Sequence, residues 1–247
     1  MYSFELVLLV SLVFLLAGFV KGVVGLGLPT ITMGLLSLSM SPAQAAALLV
    51  VPSLITNVWQ IAARPGLPAL ARRIGPMLAG VCAGVALGAG WLTGGPSQSV
   101  GAALGLALIV YAALGLLKVR FHLSPRHEGW AGPAAGLATG LVTAATGVFV
   151  IPAVPYLQAL GLEKEELVQA LGLSFLVATI ALALSLGHGG ALHGTMWLGS
   201  LLALLPALAG MGVGQRLRLR VQPERFKTLF HAGLLALGGY LSLRAMF

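Results

Sequence analysis

Aspartate is absent from this 247-residue chain, and its 6 acidic residues are all glutamate. Charged residues of both signs make up only 8% of the sequence, against about a quarter in a soluble domain. Such a chain has too little polar surface to face water on all sides, which excludes a soluble globular protein. The glutamates (Glu5, Glu128, Glu163, Glu165, Glu166 and Glu224) all fall in loops or near the ends of apolar runs. Cation and proton pathways place carboxylates at membrane depth. With none available, the sequence argues against a Na⁺ or metal-cation route built on side chains, though backbone carbonyls could serve, and anions or neutral solutes are left as the natural cargo. A single cysteine, Cys82, rules out an intramolecular disulfide and reads as a buried packing residue. There is no His-Glu-x-x-His, no Gly-x-Ser-x-Gly and no intramembrane Asp pair, so the chain is not expected to be an enzyme. His188 and His193 are spaced by five rather than four and have no acidic or thiol companion, so neither a metal site nor a cofactor is expected.

What the chain has in quantity is hydrophobic sequence, at 58%, with a mean hydropathy of +1.00. The apolar runs are continuous and about 20 residues long, the length a helix needs to cross the hydrocarbon. Barrel strands would instead alternate over about 10 residues. The fold class is therefore an all-α polytopic membrane protein. The 34 glycines suit close helix packing in a bilayer. The net charge of +8 sits in the gaps between apolar runs, a pattern that positive-inside topology explains better than nucleic-acid binding. No Lys or Arg precedes the first apolar stretch, which reads as a membrane segment rather than a signal peptide.

Six stretches read as plain spans: residues 44–63, 74–92, 97–117, 167–186, 195–214 and 226–246. Two more, 3–38 and 130–160, are interrupted. The first carries Gly18-Phe-Val-Lys21-Gly22-Val-Val-Gly25-Leu-Gly27-Leu-Pro29. The second carries Gly136-Leu-Ala-Thr-Gly140-Leu-Val-Thr143-Ala-Ala-Thr146-Gly147-Val-Phe-Val-Ile-Pro152. The same features follow each: an apolar half-segment, a short polar turn, a span with polar residues in its second half, and two further spans. In those second halves stand Pro52-Ser53-Leu-Ile-Thr56-Asn57 and Leu173-Ser174-Phe-Leu-Val-Ala-Thr179. The chain thus reads as two homologous repeats, 1–120 and 121–247. Paired interrupted segments at equivalent places point to a transporter binding site.

The basic residues form three groups: Arg64, Arg72 and Arg73; Lys118, Arg120 and Arg126; and Arg216, Arg218, Arg220, Arg225 and Lys227. If each interrupted stretch is a hairpin that returns to its own side, all three groups share one side, and Lys164 joins them. Positive-inside topology makes that side cytoplasmic. Each half then has a hairpin and three crossings, so the halves form an inverted repeat with both termini outside.

Lys21 is the one charge deep in an apolar run, and an intramembrane ionisable residue is a functional candidate by default. A break at Gly22, Gly25 and Gly27 exposes backbone N–H groups where a half-helix begins, and such a terminus favours an anion. The second break offers Thr143, Thr146 and Gly147. Two such termini facing each other make an anion cradle, with Ser53, Thr56, Asn57, Ser174 and Thr179 as donors to oxyanion oxygens. Against this, Lys21 can snorkel to an interface, and membrane Ser and Thr often bond their own backbone. Gln44 and Gln169 are candidate hairpin supports. Trp59, Trp130 and Trp197 are candidate interface anchors.

The two glycine signatures, Gly18-x-x-x-Gly22-x-x-Gly25-x-Gly27-x-Pro29 and Gly136-x-x-x-Gly140 with Gly147-x-x-x-x-Pro152, resemble those of the sulfite exporter TauE/SafE family, the four-toluene-sulfonate uptake permeases. The resemblance extends over essentially the whole chain. It implies secondary transport of sulfite, thiosulfate or organosulfonates across a bacterial inner membrane, with no cofactor and no ATP-hydrolysing domain. The expected partners are the anionic substrate and the lipid bilayer. An anion channel, or a carrier of another small organic anion such as a carboxylate, is the alternative. A homodimer is compatible with this reading but not required by it.

Overall fold

The structure is a computed structural model and describes residues 4–62, 66–119, 121–192, 194–218 and 223–245. Arg64, Arg120, His193 and Arg220 lie outside the described residues. Among the described residues the secondary structure is entirely helical. The first half contains α1 (Phe4–Val24), α2 (Leu28–Leu36), α3 (Pro42–Ala62), α4 (Leu67–Leu87), the short α5 (Trp91–Gly94) and α6 (Ser97–Leu116). The second contains α7 (Pro125–Thr146), α8 (Ala153–Ala159), α9 (Lys164–His188), α10 (Gly194–Leu217) and α11 (Pro223–Arg244). Among the described residues, six helical stretches are long and apolar enough to cross a membrane: α1, α3, α4 extended through α5, α6, α9 and α10. Besides the short α2 and α8, two long helices fall outside that set. These are α7, which is rich in glycine, and α11, which begins and ends with charge.

The interruptions lie where the glycines end rather than where they begin. Gly18 and Gly22 are inside α1, and Gly136 and Gly140 are inside α7. The true breaks are 25–27 and 147–152. Gly25, Gly27 and Gly147 have φ of +85°, +118° and +71°, backbone that a residue with a Cβ adopts only under strain. The other four glycines serve packing. A Cβ on Gly18 or Gly22 would overlap the backbone of α10 at Ala207 and Met211, and one on Gly136 or Gly140 would overlap α4 at Met77 and Val81. Gly210 and Gly214 on α10, and Gly80 and Gly84 on α4, answer them from the other side. Two interfaces of the small-xxx-small type thus cross the chain, α1 on α10 and α7 on α4.

The register of these approaches gives helix directions. Along α1 and α10 the numbers rise together, as they do along α4 and α7. In α3 and α9 they oppose, since Ser53 meets Thr179 while Ile61 meets Gln169. In α6 and α11 they also oppose, since Gly105 meets Ser242 while Gly115 meets His231. Lys21 near the end of α1 and Gly25 just beyond it meet Thr56 and Gln60 near the end of α3, so these helices run the same way. The half-length α2 between them is the return limb of a hairpin.

Of the spans, α3 is the most enclosed, with 72% of its apolar window buried against 33% for α6 and α10. Pro52 stands inside it and cannot donate to the carbonyl of Leu48. Ser200 of α10 fills that gap: its hydroxyl donates to the Leu48 carbonyl at 2.8 Å and accepts from the Val51 N–H at 3.0 Å. Cys82 is exposed on α4 rather than buried, because the glycine face of that helix, not the cysteine face, turns towards α7. Trp59, Trp130 and Trp197 are all exposed, as anchors at a bilayer surface should be.

Candidate functional site

A helix that must bury lysine has to supply acceptors for it. Lys21, in the last turn of α1, is 4% exposed. Its Nζ donates to Thr56 Oγ1 at 3.1 Å and to Asn57 Oδ1. Both partners are neutral. Among the described residues no carboxylate pairs with Lys21; the ion pairs there are Arg73–Glu128 and Lys227–Glu224.

Because Asn57 turns Oδ1 to the lysine, its Nδ2 faces Ser53 and donates to Ser53 Oγ at 3.1 Å. Ser53 Oγ lies 2.9 Å from Thr179 Oγ1. Thr179 has already given its proton to the Phe175 carbonyl at 2.6 Å, so Ser53 is the donor between the two hydroxyls. The result is one directed chain: Lys21, Asn57, Ser53, Thr179 and the carbonyl of Phe175. It joins α1, α3 and α9. The Phe175 ring packs on Phe149 of the second break, with centroids 5.2 Å apart, so the chain connects the two breaks.

Thr56 sits beside this chain. Its hydroxyl donates to the Pro52 carbonyl at 2.7 Å, leaving its oxygen for Lys21. Ser174 is fully buried on α9, and its hydroxyl has no partner. The Thr32 and Ser37 hydroxyls and the Gln60 Oε1 are likewise buried without a partner among the described residues.

The remaining sequence candidates are placed differently. Gly22 packs against α10 and belongs to the helix interface. Gly25 and Gly27 shape the first break. Thr143 and Thr146 donate to the carbonyls of Thr139 and Val142, both at 2.7 Å, and Thr146 also accepts from the Val148 N–H at 3.1 Å. Their protons are taken up by their own backbone, so here they present acceptors, not donors. Gly147 lies beside Met33, so the second break adjoins the body of α2 rather than its N-terminus. Gln44 forms a reciprocal cap with Ser41 at the start of α3. His188 bonds the carbonyl of Leu184 and is exposed. Among the described residues no three His, Cys, Asp or Glu side chains gather as metal ligands.

Sequence reading missed Gln60. Its amide donates to the Gly25 carbonyl in the first break at 2.9 Å and to the Val168 carbonyl on α9 at 3.1 Å. Gln169 answers from α9 by donating to the Ile61 carbonyl at 2.9 Å. These crossed amides tie the break and the two central helices together. A buried glutamine on an otherwise apolar face was the available signal.

A helical membrane bundle with two broken segments, and a buried polar chain between them, defines the transporter class. Within that class the chain belongs to the Sulfite exporter TauE/SafE family, whose profile matches residues 10–241. Membership implies membrane transport of sulfur anions such as sulfite. No curated protein and no solved structure matches the chain.

Proposed function

We propose that this protein is a secondary transporter of small sulfur oxyanions (sulfite, thiosulfate or organosulfonates) across the bacterial inner membrane, and that Lys21 supplies the counter-charge for the anion. The observation that carries this reading is the buried lysine with neutral partners only. An isolated buried charge is costly. A transient anion relieves that cost at the moment of binding, whereas a resident carboxylate would compete with it. Thr56 and Asn57 position the ammonium, Ser53 and Thr179 hold Asn57, and Ser174 offers a free hydroxyl. Gly25, Gly27 and Gly147 provide the breaks.

The same reading assigns two repeats, 1–120 and 121–247, in inverted orientation. The antiparallel register of α3 with α9 and of α6 with α11 favours this. So does the reciprocal packing of α1 on α10 and α7 on α4. Arg73 at the start of α4 pairs with Glu128 at the start of α7, which puts Arg72 and Arg73 at the same end as Arg126. Gly22 meets Gln215 beside Arg216, and Phe19 meets Phe226 at 5.9 Å beside Arg225 and Lys227. Arg216, Arg225 and Lys227 therefore lie towards that same end, which positive-inside topology makes cytoplasmic.

The test is flux in proteoliposomes with sulfite, thiosulfate, methanesulfonate and a carboxylate control. Saturable flux of a sulfur anion that collapses in Lys21→Met is the expected result. Non-saturating conductance would make the protein a channel, and carboxylate flux alone would refute the substrate class.

A further inference from the structure

The donor count at Lys21 carries a consequence for energy coupling. Thr56 Oγ1 is an acceptor at Nζ, because its own proton goes to the Pro52 carbonyl. Asn57 Oδ1 is the other acceptor. A neutral amine has two N–H donors, which these two acceptors satisfy, and one lone pair, which is open to a proton. An ammonium has three donors, and among the described residues the third has no acceptor. The pocket as built therefore matches uncharged lysine when empty. It matches charged lysine only when an anion supplies the third acceptor.

We infer that the transporter moves its anion together with a proton carried on Lys21, as an anion–proton symporter. This rests on the reading of Lys21 as the anion site. In the loading step the amine lone pair takes a proton from the water phase as the anion enters, giving an ammonium–anion pair. In the unloading step the N–H bond breaks, the electron pair returns to nitrogen, and proton and anion leave on the other side.

Among the described residues of the elements around Lys21, no other group is placed to take over the proton. Neither α2 nor α3 has a titratable side chain. The one charged residue of α10, Arg216, is exposed beyond the contact with Gly22. On α11, Glu224 and Lys227 pair with each other, Arg225 is exposed, and His231 packs on Tyr111 and Phe230. The charges of α9 (Lys164, Glu165 and Glu166) lie in its first turn, and its His188 is exposed at the other end. Glu5 is at the far end of α1.

The experiment uses thiosulfate and methanesulfonate, both fully ionised near neutrality, so that neither carries its own proton. Proteoliposomes are held at zero membrane potential with potassium and valinomycin, and a pH gradient is imposed. The expected result is accumulation of the anion on the alkaline side, in the acid-to-alkaline direction of proton flow, by a factor approaching about tenfold per pH unit. Lumenal pH should change when an anion gradient alone is applied. Lys21→Arg keeps the charge but cannot release the proton, so it should retain anion binding and lose pH-driven accumulation. Asn57→Asp installs a fixed counter-charge and should abolish anion binding. Failure of the pH gradient to drive accumulation of either anion overturns the inference. If sulfur-anion flux sensitive to Lys21→Met persists in that case, the transporter reading stands. If no sulfur anion moves by any gradient, both fall.

Discussion

The two breaks of this chain open on the same kind of turn and differ in chemistry. Gly25 closes a hydrogen bond to the carbonyl of Lys21 at 2.7 Å, and Gly147 closes one to the carbonyl of Thr143 at 2.8 Å. Each glycine has positive φ and ends the first helix of its half. Lys21 and Thr143 thus hold equivalent places. Lys21 reaches across to α3, whereas Thr143 turns back onto its own helix. A similar glycine turn is flanked by a charge in the first break and by a neutral hydroxyl in the second. This asymmetry between the breaks is what singles out Lys21 as the proposed counter-charge.

The largest expected effect falls on the charge. Lys21→Met should weaken anion binding or uptake about 100-fold, since removing one partner of a buried charged contact costs about 2–5 kcal/mol. Thr143→Val should change it by about twofold at most, because the lost bond is local. Equal losses would erase the distinction between the breaks. Moving the charge, with Lys21→Thr and Thr143→Lys together, should not restore uptake, because no Asn57–Thr56 pair faces the second break; recovered flux would show the halves to be interchangeable.

Packing should behave in the opposite way. Gly18→Leu and Gly140→Leu each force a side chain into a neighbouring backbone and should destabilise the folded protein by similar amounts, about 1–3 kcal/mol or more. Thermal unfolding in detergent reads both, and a large inequality would break the symmetry of the two glycine interfaces. A smaller effect separates the central helices. Ser200→Ala leaves a carbonyl and an N–H of α3 without their partner and should cost about 1–3 kcal/mol. α9 has no proline and needs no such repair.

The fold was legible because its signals are local. Run length pointed to membrane-crossing helices, and glycine and proline pointed to two interrupted segments. Break positions were less legible, since glycine marks both a left-handed turn and a close helix contact. Gly18 and Gly22 looked like the former and are the latter. Lys21, Ser53, Thr56, Asn57 and Thr179 were legible as polar letters in apolar runs, and the structure gathers them into one network. Thr143 and Thr146 carry the same kind of letter but bond their own helix, which composition cannot distinguish. Gln60 and Ser200 act through partners 108 and 149 residues away, and no local pattern announces such pairings.

The most direct test of the central claim is anion binding to the purified protein. Affinities for sulfite and thiosulfate would be compared in the wild type, Lys21→Met and Thr143→Val. The account predicts about 100-fold weaker binding in Lys21→Met and near-wild-type binding in Thr143→Val. Undiminished binding in Lys21→Met would contradict the assignment of Lys21 as the counter-charge.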